Sequence, residues 1–273
     1  MAAAHPIVVR RPVFELDEQV PHYWFDGDPF ATHYLNALSS VFPDGEAFFV
    51  RSVQQYRDRI EDPELRKAIQ GFSAQEGQHS RQHDRHLKLL QQQGYSAIES
   101  TNDVMRKVLE WNLRRFPRLS LASTAALEHL TAILARRLLS DRERWIEPMD
   151  PRMAQLWEWH ALEEAEHKAV AFDVLMQVAP GLGLRRWSLT LNTFGVFIEM
   201  LVRTGYMLWK DGVFFRRSTW ASGWRFLFGE RGFLRGLGPD FRSWYRRDFH
   251  PDQQDDGPLI EAGRARLAMQ LAS

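Results

Sequence analysis

The chain has 273 residues, 44% of them hydrophobic, and 35 Lys and Arg balance 35 Asp and Glu. That is enough apolar material for a large core, and too even a charge for a general nucleic-acid binder or a disordered chain. With no cysteine, disulfides, thiolate zinc sites and iron–sulfur clusters are excluded, so any metal must be held by His, Asp and Glu.

The opening stretch "MAAAHPIVVRRPVFELDEQV" lacks the long apolar core of a secretion signal, and a cytoplasmic protein is expected. Gly and Pro then mark joints: "DGDP" at 26–29, "FPDG" at 42–45, "EDP" at 61–63, "QQGY" at 92–95, "RFP" at 115–117, "EPMDP" at 147–151 and "APGLG" at 179–183. Four long helices are expected between them, over about 45–60, 62–92, 120–146 and 150–178. Asp62 and Asp150 are natural N-caps, each followed by a proline at the first helical position. A longer crossover joins the second and third helices. β-branched alternation is nearly absent, so no sheet is expected, and the fold class is all-α, a four-helix bundle with one long connection. Residues 1–180 form the bundle with its lead-in. Residues 181–273 form an aromatic, basic helical extension packed on it, ending in a polar tail.

That extension has a charge of its own. From Arg185 to Arg247 there are 12 Lys and Arg against 4 Asp and Glu, together with Trp187, Trp209, Trp220, Trp224 and Trp244. Its longest uncharged run, Trp187 to Ile198, has 12 residues, whereas a spanning helix needs about 20. A helix packed on the bundle or lying at an interface is expected. The three uses open to the region are an anionic membrane surface, a homodimer interface and a cover over the substrate pocket.

The segment "WHALEEAEHK" at 159–168 carries the strongest chemical signal. On a helix turning about 100° per residue, His160, Glu164 and His167 share one face. Glu163 sits at the edge of that face and Glu166 points away, into solvent or an ion pair. The second helix repeats the pattern in Glu76-x-x-His79, with His83 one turn further on. His83 is read first as supporting a ligand or lying at the surface, with a ligand role as the alternative. In the third helix Glu128 is the only acid between Leu119 and Ser140, and such a residue is expensive to bury unpaired. His129 is rotated off that face. Glu46 precedes a Phe pair in the first helix. The bland alternatives are a helix-terminal acid for Glu46, a polar surface pair for Glu76 and His79, and an arginine salt bridge for Glu128. For Glu164 and His167 it is a solvated face, and for His160 a core histidine or a residue that orients a ligand. Phe49, Phe72 and Phe172 are read as core.

Single carboxylates from two helices and Glu-x-x-His from two others make the di-iron or di-manganese pattern of ferritin-like bundles. The metal set is then Glu46, Glu76, His79, Glu128, His160, Glu164 and His167. In this order the residues resemble the di-iron carboxylate oxygenases, in particular the p-aminobenzoate N-oxygenase type, in which an extra His precedes the last Glu-x-x-His. The segments "FPDGEAFF", "EGQHSRQH" and "HALEEAEHKAVAFDV" also resemble a bacterial family labelled predicted metal-dependent hydrolase. The resemblance implies a ferritin-like fold and two iron ions, with manganese or a mixed pair as alternatives. It implies an oxygenase that takes O2, a small organic substrate and an external electron donor. Hydrolysis by metal-activated water is the alternative reaction, and ferroxidase action a further one. No serine-nucleophile, phosphate-loop or nucleotide motif is present.

Overall fold

The computed structural model describes residues 5–272, with backbone alone for 270–272. Among the described residues the fold is all-α. The only β-type pairing is an isolated bridge between Phe25 and Met149.

Helix α1 runs Pro29–Gln54, capped by the Asp28 carboxylate, which accepts from the amides of Phe30 and Ala31. The expected start near Gly45 is therefore corrected: the joint read in "FPDG" lies inside α1, with Pro43 in the helix interior. An interior proline costs about 3 kcal/mol. Burial on both sides of it, at Leu35 and Leu38 before and Phe48 and Phe49 after, outweighs that cost. The change matters for Glu46, which sits mid-helix and cannot be a helix-terminal acid.

Helix α2 (Pro63–Gln92) starts at the Asp62 cap as expected, and its chain turns at Gly94, whose φ is 103°. The crossover is itself helical, forming α3 (Ala97–Arg115). Helix α4 (Pro117–Ser140) ends earlier than expected and is followed by the short α5 (Arg142–Trp145). Asp150 caps α6 (Pro151–His167), and α7 (Val170–Val178) follows after a break at Lys168 and Ala169. The expected fourth helix is thus two. At the break Lys168 is drawn inward, its Nζ 2.5 Å from Asp256 Oδ2.

Helix α8 (Leu182–Lys210) lies across α1 and α4. Then come α9 (Arg217–Phe228), α10 (Gly238–Ser243) and α11 (Gly257–Ala272). The expected polar tail is α11, which packs on α6. Two apolar clusters fill the interior. One surrounds Trp24, Trp145, Trp159 and Met207, the other Phe72, Phe172, Trp244 and Phe249. The polar cluster described next lies between α1, α2, α4 and α6. No described helix is long and apolar enough to cross a membrane.

Candidate metal centre

All seven residues expected as ligands are buried: Glu46 on α1, Glu76 and His79 on α2, Glu128 on α4, and His160, Glu164 and His167 on α6. They converge. His167 Nε2 lies 3.0 Å from Glu76 Oε1, 3.4 Å from Glu128 Oε2 and 3.6 Å from Glu164 Oε1. His79 Nδ1 lies 3.7 Å from Glu76 Oε1 and 3.5 Å from Glu164 Oε1. His160 Nε2 is 3.3 Å from Glu164 Oε1, and its Nδ1 is 4.0 Å from Glu46 Oε1. The surface-pair and arginine-bridge alternatives fall away, because these partners are one another.

Two observations test whether the donors fit metal ions. Nitrogen and oxygen ligands bind at about 2.0–2.2 Å, so atoms sharing one ion stand roughly 3.0–3.6 Å apart, which matches the spacings above. Second, both carboxylate oxygens of Glu46, Glu76 and Glu128, with His79 Nδ1 and His167 Nε2, are buried without a hydrogen-bond partner. Buried charged groups left this way are costly unless a cation or proton completes them. The donors fit. Four groups in the cluster bring their donor atoms within 4.8 Å of one another: Glu46, Glu76 and His79; Glu76, Glu128 and His167; His79, His160 and Glu164; and Glu46, His83 and His160.

The electrostatics point the same way. Burial, with Glu76 nearby, holds the Glu46 carboxyl well above its usual range. Burial, with Glu164 nearby, pushes Glu128 up to about 8. For Glu76 and Glu164 burial also pushes up, but the imidazoles of His167, His79 and His160 outweigh it and hold both below the usual range. His79 and His167 are raised well above theirs, burial being outweighed by Glu163 and Glu76 for the first and by Glu164 and Glu128 for the second. Without metal the cluster is neutral when protons sit on Glu46, Glu128, His79 and His167. Two divalent cations would balance the same four carboxylates with neutral imidazoles.

The surrounding residues were less visible in sequence. Glu163, ambiguous at the helix edge, is fully buried and places Oε2 3.2 Å from His79 Nε2. Glu166 points away from the cluster as expected and does not face solvent: of the two readings, solvent or an ion pair, the ion pair holds. The residue is 3% exposed and holds Arg10, Arg264, Gln75 and the Val8 amide. Gln75 Oε1 accepts from His167 Nδ1 at 2.9 Å while its amide nitrogen donates to Glu166, so Glu166 braces His167 through it. Sequence left the choice between solvent and an ion pair open because residues 5–12 and α11 cover a helix face that periodicity leaves bare. Partners so distant in sequence leave no local signal. His83 is buried, with Nε2 2.8 Å from His160 Nδ1. His129 stacks on Trp244, away from the cluster.

A second group, His22, His33 and Asp211, is also close enough to hold an ion. Its carboxylate already accepts from Tyr23 and Tyr95 and pairs with both imidazoles. Trp24 donates to Asn36 Oδ1, which turns the Asn36 amide nitrogen toward His33 Nδ1. That leaves His33 Nε2 as the protonated donor to Asp211, so the group is a tether between α1 and the end of α8.

An apolar cleft of about 20 Å³ leads to His160 and Glu164 past Leu38, Phe42, Leu134, Leu138, Trp157 and Phe233. It has room for about one water-sized molecule. The larger clefts near Arg231 and near Gly71 touch none of the seven residues.

These features define an all-helical protein with a buried Glu and His cluster suited to divalent metal. The chain belongs to the family described as predicted metal-dependent hydrolase, whose model matches residues 8–255. No curated protein and no solved structure matches it.

Proposed function

We propose that Glu46, Glu76, His79, Glu128, His160, Glu164 and His167 hold two divalent metal ions, and that the chain is a metal-dependent enzyme acting on a small substrate. The observation that carries this reading is the set of buried, unpartnered carboxylate and imidazole atoms converging from four helices. Hydrolysis, the second choice from sequence, is the reaction that the family description supports best. Two bound ions would supply Lewis acidity and an activated water. The protein's own groups orient and insulate the site. Glu163 sets its carboxylate 3.2 Å from the outer nitrogen of His79, and Gln75 hydrogen-bonds the outer nitrogen of His167. The Thr131 hydroxyl donates to Glu164 Oε2, and Phe42 stacks on His160 at 4.7 Å between ring centroids.

A second reading is oxidation of a small organic molecule with O2 by two irons, as the ferritin-like ligand order suggests. The cleft favours it. Its size suits a diatomic gas, and its largely apolar lining offers little to orient an ester or amide.

Metal analysis of protein purified without chelators tests the shared claim. About two ions per chain are expected, with a large loss in Glu164→Ala; no metal in either protein would overturn the proposal. Ester cleavage without oxygen by zinc- or manganese-loaded protein would select hydrolysis. Oxygen uptake by reduced iron-loaded protein with transient visible absorption would select oxidation.

A further inference from the structure

Helix α8 buries only one side. Ser188, Leu189, Met200, Thr204, Met207 and Leu208 are buried against the bundle. Trp187, Leu191, Phe194, Ile198, Val202 and Trp209 are exposed, Trp187 at 66% and Phe194 at 65%. The helical spacing of these six keeps them on one side. The next segment continues the surface: Phe215 is 87% exposed, and Trp220, Trp224 and Phe228 are exposed one turn apart on α9. Helix α3 adds Val104, Val108 and Trp111. It is joined to α8 at Ser40 of α1, where Asn102 binds the carbonyl and Arg203 the hydroxyl. Exposed apolar and aromatic side chains in this number mark an interaction face.

Its surrounding charge says what it meets. Lys210, Arg216, Arg217, Arg225, Arg231 and Arg235 are exposed around it. Between 185 and 247 the only exposed acid is Glu230; Glu199 is paired with Arg203, Asp211 sits in its tyrosine and histidine tether, and Asp240 is half-buried.

We propose that this face docks on an anionic lipid bilayer. The aromatic stripe of α8 and α9 lies at the boundary of headgroups and acyl chains, and the arginines bind lipid phosphates. Tryptophan at both ends of the stripe suits that depth. A second copy of the chain is the poorer occupant, because two-fold pairing would set one basic surround against another. The cleft beside His160 and Glu164 is lined from α1, α4 and α6 and by Phe233, and α1 and α4 also carry α8. Docking would therefore bring the candidate site near an apolar, membrane-dissolved substrate. That last step rests on the proposed function; bilayer binding does not.

Co-sedimentation with phosphatidylcholine vesicles, with and without phosphatidylserine, tests it. The full chain should pellet with the anionic vesicles and be released by high salt. Leu191→Glu with Phe194→Glu should lower binding more than about tenfold, with wild-type helicity and melting temperature, since both side chains are exposed. Arg216→Glu with Arg217→Glu should lower binding to anionic vesicles about tenfold or more. Wild-type protein that stays in the supernatant would overturn the proposal, as would undiminished pelleting of the Leu191 and Phe194 double variant. A solution dimer that this double variant dissociates, without vesicle binding, would reassign the face to self-association.

Discussion

His83 Nε2 lies 2.8 Å from His160 Nδ1, and the other nitrogen of His83 lies 2.7 Å from Ser39 Oγ. Ser39 Oγ is in turn 2.7 Å from His86 Nδ1. One proton per contact satisfies the whole row. With a metal on His160 Nε2 the row runs one way: His160 Nδ1 donates to His83 Nε2, His83 Nδ1 donates to Ser39, and Ser39 donates to His86. That assignment leaves His160 Nε2 with a free lone pair beside Glu164, the state a metal ligand needs. It requires neutral His83 and His86. Burial, with His160 beside the first, holds His83 well below its usual range, and burial lowers His86 to about 3.

His83→Ala should therefore weaken metal binding by about 10–100-fold, the usual effect of removing a group that orients a metal-bound histidine. His83→Gln keeps a hydrogen-bonding group there and should recover part of the loss. Competitive titration with a chromophoric chelator measures both. Unchanged affinity in His83→Ala would mean that His160 binds no metal.

Metal loading should release protons. In the metal-free cluster Glu46, Glu128, His79 and His167 all hold protons more tightly than usual, Glu128 up to about 8. Two divalent ions displace up to four. Calorimetry in buffers of different ionisation enthalpy counts them. The sign for stability follows. A group raised in the folded state stabilises below its unfolded value, and that stability fades as pH rises through the folded value. Glu76 and Glu164 are lowered and stay ionised above pH 6. Metal-free protein should thus lose thermal stability from pH 6 to 9, through about 8 for Glu128. Metal-loaded protein should not. A flat metal-free profile over that window would contradict the charge balance.

The Glu166 network should be costly to break. Arg10 NH2 is 2.8 Å from Glu166 Oε1, and Arg264 Nε is also at 2.8 Å. Glu166→Ala strands two guanidinium groups in a largely buried place, and removing one partner of such a pair costs about 3–5 kcal/mol. Arg10 is 13% exposed at the side chain, so solvent trims this toward the lower figure. Chemical denaturation should show the loss. Because Glu166 also steadies Gln75 and so His167, metal affinity should fall with it. Loss of stability with full metal affinity would separate the two roles.

Much of the centre was legible because helix periodicity is local. Two Glu-x-x-His pairs and a lone Glu128 declare their faces within a few residues. The limits of α1 were not, since Pro43 and Gly45 read as a joint and only tertiary burial carries the helix through them. Glu163 and Glu166 stayed open between solvent and an ion pair for a related reason. Their partners, His79 and Arg10, come from other parts of the chain, and a residue at the edge of a helical face is assigned only by what packs there. Arginine at position 10 looks like any solvated residue until residues 5–12 are laid along α2 and α6.

The contact between α9 and α1 gives a paired test of packing. A Cβ on Gly223 would stand 2.5 Å from Phe30 Cδ2 and 2.6 Å from Cγ and Cε2. Phe30 is 3% exposed and has Tyr34 stacked on it and Trp220 at its edge, so the ring has little room to move. Alanine in a helix gains about 1 kcal/mol over glycine, but overpacking costs about 1–3 kcal/mol. Gly223→Ala should therefore destabilise. Gly195 is the control. It lies inside α8, and nothing stands within 4 Å of where its Cβ would be. Gly195→Ala should stabilise by about 0.5–1 kcal/mol, since only the helix preference acts. Thermal melts of the two variants should move in opposite directions, by roughly 2–4 °C per kcal/mol at this chain length. A Gly223→Ala variant that melts higher than wild type would mean that α9 is not held against Phe30 as described.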